Sequence, residues 1–434
     1  MSPVTIGVIG LVALLALLVC SLPVAFVMAI VGAVGFAAIV SPHAALAVLA
    51  SDFMDTFTSY GLTVIPLFVF MGQVCFHTGI SGRLFKAANS WFGHLPGGLA
   101  MATVGACAAF GAICGSGPAT AATMASVALP EMRKYKYSPA LAGGVVAAGG
   151  GLGMLIPPSV VFIVYGIMTE QSIGKLFIAG VVPGILIAAL FCAVVAVRCA
   201  LDPAAGPASP KLPLRERLAS LGNVIETLAL FAFVIGGMFA GWFTPTEGAA
   251  VGAAGSLVVA AFSRKLTWKM VSRALEETIR TSCMVMIIVA GASVFGHFLA
   301  VTEMPSHLAR WLAGLPLPPW VVILIIGLFY LVAGCFVDSL ALVMLTVPIF
   351  YPVILRLGYS PVWFGVLVVV ITQMGVITPP VGVNVYVVSG IDRSIPIQTI
   401  FRGAMPFLLA LLAAALLLIF FPGIATWLPA IDSR

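Results

Sequence analysis

Charge is what this chain has least of. Asp, Glu, Lys and Arg make up 8% of it, against 62% hydrophobic residues, where a soluble globular domain carries about 25% charged residues. A soluble enzyme or binding module is excluded, and so is a soluble domain with a single anchor. The composition is that of an all-α polytopic membrane protein. At about 20 apolar residues per crossing, 434 residues allow on the order of ten to twelve spans. Metal-binding patterns are missing too. None of the five His is spaced HxxxH or HExxH, and the eight Cys form no CxxC pair. The cysteines lie in or beside apolar runs and read as small buried hydrophobes. No charged n-region precedes Met1–Cys20, so this run reads as a first helix rather than a cleavable signal. The net charge is +6, but the basic residues sit in short loops between spans. That placement suits a lipid bilayer and not a nucleic acid.

What the chain does have is glycine and proline where an ordinary membrane helix would not take them. The stretch 111–159 contains CGSGP at 114–118 and IPPS at 156–159. Neither segment can be helical, and non-helical backbone at membrane depth survives only inside protein or beside a water-filled cavity. The stretch therefore reads as the end of a re-entrant hairpin, 98–132, followed by a broken helix, 138–169. These are the elements from which ion-coupled carriers build their sites.

The same pattern returns further along. Tyr137-Ser138-Pro139 recurs as Tyr359-Ser360-Pro361, Pro157-Pro158 as Pro379-Pro380, and Pro130 as Pro352, all at a shift of 222. Ser116 falls on Asp338 in that register. One register held over this distance marks an internal repeat. The expected organisation is a first repeat over 1–200, a polar linker over 201–221, and a second repeat over 222–434. The second repeat carries its own hairpin, 319–352, and broken helix, 359–389. Each repeat also has an amphipathic arm, 43–57 and 264–277, expected to lie in the interface plane. Five crossings and one hairpin per repeat would invert the second relative to the first. With the N-terminus placed outside, sixteen of the twenty Lys and Arg fall on the cytoplasmic side, the linker included. Only Lys175, Arg310, Arg356 and Arg434 fall outside. That is the bias the positive-inside rule requires, and it brings the two hairpin tips toward the midplane from opposite sides.

The chemistry is expected at those tips. Gly and Pro free backbone carbonyls, and Ser116, Thr120 and Thr123 add hydroxyls; such oxygens suit a hard cation such as Na⁺. In the second copy, Asp338 is one of very few charges at membrane depth, at a cost of ~3 kcal/mol or more. Its partner is a bound cation or a proton, or else a basic residue from another span. Thr378, Gln373 and Asn384 add polar groups to the second break. The half-helices that begin after Pro118, Pro158, Ser339 and Pro380 would aim their N-termini at the centre, where such ends bind carboxylates without any Lys or Arg. Substrate-facing positions are accordingly expected at Pro118, Thr120, Ser159, Ser339, Gln373 and Asn384. Glu247, two residues after Pro245, reads more simply as a first-turn residue that complements the helix dipole, and His297 as a hydrogen-bonded packing residue. Trp91, Trp242, Trp268, Trp311, Trp320 and Trp427 sit near span ends, as in an aromatic belt.

At PLFVFMG (66–72), GAICGSGPATAAT (111–123), FTPTEGAA (243–250) and GVITPPVGVN (375–384) the chain resembles the large membrane subunit of tripartite ATP-independent periplasmic (TRAP) transporters. The resemblance runs through essentially the whole chain. It implies an elevator-type architecture like that of the ion-transporter superfamily, in a bacterial inner membrane. It also implies Na⁺-coupled import of a small organic acid, more than one Na⁺ site, and no organic cofactor. Expected partners are a small four-helix membrane subunit and a periplasmic substrate-binding protein; this chain lacks the extra spans of a fused small subunit. The implied Na⁺ ligands are Gly115, Ser116 and Gly117 with Gly153, Ile156 and Pro157 in one cluster. In the other they are Asp338 with Gly375, Thr378 and Val381. Two readings of the same architecture stay beside it: a standalone Na⁺–carboxylate symporter, and an H⁺-coupled antiporter using Asp338. No catalytic dyad at membrane depth favours an enzyme.

Overall fold

The computed structural model describes residues 2–20, 22–222, 224–314 and 316–432; Arg434, counted among the outward charges, lies outside the described residues. Among those described, every regular element is helical. Seven of these helices are long and apolar enough to cross a membrane, and five more are apolar but shorter. The elements recur in order. Gly98–Cys114 and Gly117–Lys134 form the first hairpin, and Pro319–Gly334 and Ser339–Arg356 the second. The first broken helix is Pro139–Gly150, Leu152–Leu155 and Val160–Met168; the second is Pro361–Gly375 and Val383–Ile391. Each break contains a cis Pro–Pro bond, Pro157-Pro158 and Pro379-Pro380.

Several elements differ from the sequence expectation. The arm 264–277 and the span 278–301 are one unbroken helix, Trp268–Thr302. No Gly or Pro lies between Trp268 and Ala290, so nothing ends the helix. In the first repeat the arm Pro42–Thr58 does end, because Ser59 is extended and Gly61 follows. Two amphipathic helices, Ile80–Phe92 and Met304–Ala313, occupy stretches that read as loops. The linker holds a short helix, Leu214–Gly222, and a last helix runs over Gly423–Asp432.

Packing depends on small residues, since lipid gives apolar side chains no reason to leave it and close backbone contact must supply the attraction. Val24–Ile39 lies along Trp268–Thr302; a Cβ on Gly291 would collide with the Ala25 carbonyl oxygen. Pro139–Gly150 lies along Ile397–Phe420, and a Cβ on Gly403 would collide with the Ala140 carbonyl oxygen. The bases of the two hairpins are tied in opposite ways. Arg133, at the end of the first hairpin, donates to Asp392 and Ser394 just past the second broken helix. Tyr165 and Thr169, at the end of the first broken helix, meet the base of the second hairpin and the start of the helix after it. The Tyr165 hydroxyl donates to the Pro361 carbonyl at 2.6 Å, and the Tyr351 hydroxyl donates to the Thr169 carbonyl at 3.2 Å. The tryptophans of the expected belt are exposed at Trp242, Trp268, Trp311, Trp320 and Trp427, whereas Trp363 is fully buried and donates to the Leu418 carbonyl.

Candidate functional site

The first tip is made by two backbone devices. Gly115 takes φ +67°, which ends the limb Gly98–Cys114, and its N–H closes onto the Gly111 carbonyl at 2.8 Å. Only glycine adopts that geometry without cost. Ser116 is extended, and Gly117-Pro118 starts the next helix, where proline's missing N–H is no loss. The first break lies against this tip. The Val160 N–H donates to the Gly115 carbonyl at 3.4 Å, and Ser159 caps its helix by accepting from the Phe162 N–H while donating to the Met154 carbonyl. Backbones touch where a Cβ on Gly111 would stand 2.6 Å from Gly153 Cα. The polar groups gathered here are oxygens: the Thr120 hydroxyl sits 2.7 Å from the Ser116 carbonyl. The Pro158 carbonyl would lie 2.7 Å from a Cβ on Gly115.

The second tip keeps the plan and changes the chemistry. Gly334 and Gly375 repeat the Gly111–Gly153 approach; a Cβ on Gly375 would stand 2.5 Å from the Gly334 carbonyl carbon. Asp338 is the N-cap of Ser339–Arg356, and its carboxylate accepts from the Leu340 N–H at 3.0 Å. The Ser339 hydroxyl is 2% exposed and has no hydrogen-bond partner among the described residues. In the break, the Thr378 hydroxyl donates to the Met374 carbonyl at 2.6 Å. Gly382, at φ +58°, opens the next helix. Pro379, Pro380 and Val381 are exposed, whereas Pro157, Pro158 and Ser159 are buried.

A cavity of about 410 Å³ joins the two tips. It brings together Gly115, Ser116, Gly117, Pro118, Asp338 and Ser339 from the expected set. Thr120, Gly153, Ile156, Pro157 and Ser159 stand behind that wall, outside the lining. Gly375, Thr378 and Val381 do not line it either. Gln373 and Asn384 lie elsewhere, between the two broken helices. Gln373 is buried against Gly151, and the Asn384 amide donates to the Ala147 carbonyl at 3.0 Å. Both keep buried amide atoms without partners among the described residues.

The opposite wall is one that sequence reasoning misses. It includes Gln73 and Phe76 on Val64–His77, with Glu277, Thr281 and Met284 on Trp268–Thr302. Glu277 is the last position of the expected interfacial arm. Its spacing to Thr281 and Met284 puts all three on one face of a continuing helix, and that phase is the available signal. The His77 Nε2 lies 3.2 Å from the Glu277 carboxylate. Other polar residues have structural partners. Thr244 and Glu247 form a capping box, as the first-turn reading expects. His297 bonds Asp52 at 2.8 Å and so holds the arm Pro42–Thr58 to the long helix.

Residues 11–424 match the family described as "Tripartite ATP-independent periplasmic transporter, DctM component". The chain is 38% identical to a C4-dicarboxylate TRAP transporter large permease protein of Pseudomonas aeruginosa, over 88% of this chain and 89% of the relative. It is 36% identical to a sialic acid TRAP transporter large permease protein of Vibrio cholerae, over 87% of each. Among solved structures it is similar to the Alcanivorax borkumensis YdaH transporter, with a TM-score of 0.62 and 18% identity over 87% of this chain and 89% of that one. The last likeness concerns the fold alone.

Proposed function

The chain belongs to the family of DctM components of tripartite ATP-independent periplasmic transporters, and from that premise we propose that it is a Na⁺-coupled importer of a small organic acid, moving its site by an elevator motion. The observation that carries this is the cavity into which both tips open, with Ser116 and the Asp338 carboxylate in its wall. The Asp338 carboxylate is half-buried in the cavity wall; at membrane depth such a charge calls for a counter-charge, and a bound Na⁺ beside the tip oxygens supplies one. The starts of Gly117–Lys134 and Ser339–Arg356 both line the cavity, and helix N-termini attract anions through their free N–H groups and dipole. Cation and carboxylate would then bind together, each stabilising the other.

In this reading the hairpins and broken helices move as one body, tied across by the Arg133–Asp392 and Tyr165–Pro361 links. The spans ending at His77 and beginning at Trp268 are the frame. The N-terminus is periplasmic and the linker 201–221 cytoplasmic, which puts the Trp268 end of the long helix, with Glu277 in the cavity lining, toward the cytoplasm. Substrate arrives from a periplasmic binding protein, and a small membrane subunit completes the complex. Relatives carry C4-dicarboxylates or sialic acid by name, which supports an organic acid in general.

The test is uptake into vesicles holding the chain and its small subunit, with binding protein added outside. A Na⁺ gradient at fixed pH should drive accumulation, and omission of the binding protein should abolish it. Uptake that follows a pH gradient and ignores Na⁺ would sink the coupling ion proposed here. Uptake without binding protein would make the chain a standalone symporter.

A further inference from the structure

The cavity is asymmetric in a way that bears on what it can hold. Among the described residues, its charged lining is Asp338 on the tip side and Glu277 on the frame side, with no Lys or Arg. The tip side offers two helix starts and, with Na⁺, a counter-charge for one carboxylate. The frame side offers the Glu277 carboxylate and the acceptor-capable Gln73 and Thr281. The Ser339 hydroxyl, buried in the tip wall and unpartnered among the described residues, is a second sign that a polar ligand belongs between these walls, since a buried hydroxyl without a partner is costly.

We propose that Glu277 is a specificity-determining residue. It selects monocarboxylates whose far end donates hydrogen bonds, a hydroxyl or an ammonium group, over dicarboxylates of the same length. The inference rests on the carrier reading above: the tips take the substrate's carboxylate. A ligand that spans the cavity then brings its other end to the frame wall. A second carboxylate there meets Glu277 with no Lys or Arg in the lining between them, and like charges at close range repel, less strongly than in a dry site because the Glu277 side chain is 45% exposed. A hydroxyl or ammonium group instead donates to the Glu277 carboxylate, a charge-assisted bond of the stronger kind. His77 holds Glu277 from one side at 3.2 Å. A carboxylate offers about four acceptor positions, so this bond leaves room for a ligand donor.

Three ligands that differ only at one end give a direct test: succinate, 4-hydroxybutyrate and 4-aminobutyrate. Their affinities for the full-length chain purified together with its small subunit are measured by calorimetry or thermal shift, in NaCl and in choline chloride. In NaCl the two donor-ended acids are expected to bind about tenfold more tightly than succinate, the scale of one charge-assisted hydrogen bond formed or one repulsion avoided. E277Q should shrink that ratio to about threefold or less, while E277D, which keeps the charge, should preserve most of it. The readout is a ratio within each protein, so a loss of overall stability does not imitate it. Succinate binding as tightly as the others to the unaltered chain would overturn the inference. So would a ratio that E277Q and E277A both leave unchanged. Either result, with binding still dependent on Na⁺, would leave the carrier reading standing. If none of the three binds better in NaCl than in choline, the carrier reading fails and the inference fails with it.

Discussion

The two hairpin-and-break units solve one problem with different chemistry. Both bring backbone to backbone at a glycine pair, Gly111 with Gly153 and Gly334 with Gly375. Both start a helix at the tip. At that start the first unit has Ser116, whose side chain makes no cap bond, and the second has Asp338, whose carboxylate does. The first break is buried and capped by the Ser159 hydroxyl; the second is exposed and opened by Gly382 at positive φ. The first unit therefore depends on enclosure and neutral oxygens, the second on one charge. A repeat can keep its contacts while its polar content diverges, because the glycine contacts hold the fold and leave the polar groups at the tips free to differ.

That contrast can be broken at several points. The largest effect is expected at the charge. Asp338→Asn should lower Na⁺-driven uptake by about a hundredfold, corresponding to about 3 kcal/mol for a lost charged partner, with normal membrane insertion. Ser116→Ala should lower it only several-fold, about 1 kcal/mol for a neutral hydrogen bond; equal losses in the two would erase the distinction. Next come the glycine pairs. Gly153→Ala and Gly375→Ala each force a Cβ to within 2.5 Å of atoms on the facing hairpin. Each should cost about 1–3 kcal/mol of stability, read as a lower melting temperature in detergent. Similar losses would show that both units depend on the approach, and a harmless alanine at either site would break the symmetry. Smaller still, Ser159→Ala removes a buried cap and should cost about 1 kcal/mol, a loss visible as faster exchange of amides near Phe162.

The smallest effect concerns the link between the units. Partial burial alone raises the Asp392 carboxyl, but hydrogen bonds from Ser394 and Arg133, with the guanidinium charge, outweigh it and hold Asp392 below the usual carboxylate range. A depressed folded-state pKa contributes stability above the unfolded value, about 3.9, and loses it as pH falls through the lower folded value. The contribution is at most about 1 kcal/mol, because the Arg133 side chain is 60% exposed and solvent screens the pair. Asp392→Asn should flatten the thermal stability profile below about pH 4 and leave its shape near pH 7 unchanged.

Much of this architecture is legible in the chain because breaks in membrane helices need visible residues. CGSGP and the two Pro-Pro pairs announce the tips and breaks, and the shift of 222 announces the second copy. The Glu247 cap is legible for a similar reason: a capping box has a fixed spacing. The frame wall is harder to read. Glu277 carries no local mark of function, and only the continuation of one helical phase past an expected boundary brings it to the cavity. The glycine pairs are hidden because 45 glycines give no clue to which two will touch. Gln373 and Asn384 show what spacing along the chain does not fix: both flank the second break, and the fold sets them between the broken helices and outside the cavity lining.

The unbroken helix Trp268–Thr302 has a consequence for where water ends. Its 35 residues measure about 52 Å at 1.5 Å per residue, while the hydrocarbon layer is about 30 Å thick. Roughly 20 Å of the rod is surplus by that comparison. Glu277 is the tenth residue of the helix, so it lies about 14 Å along it, within that surplus if the excess is taken up at the Trp268 end. The carboxylate can thus stand at the waterline, anchored to a rigid post and still hydrated, where keeping its charge costs little. In the first repeat the equivalent rod is jointed at Ser59, and its arm is moored to the long helix through the Asp52–His297 bond, so the two posts are built differently.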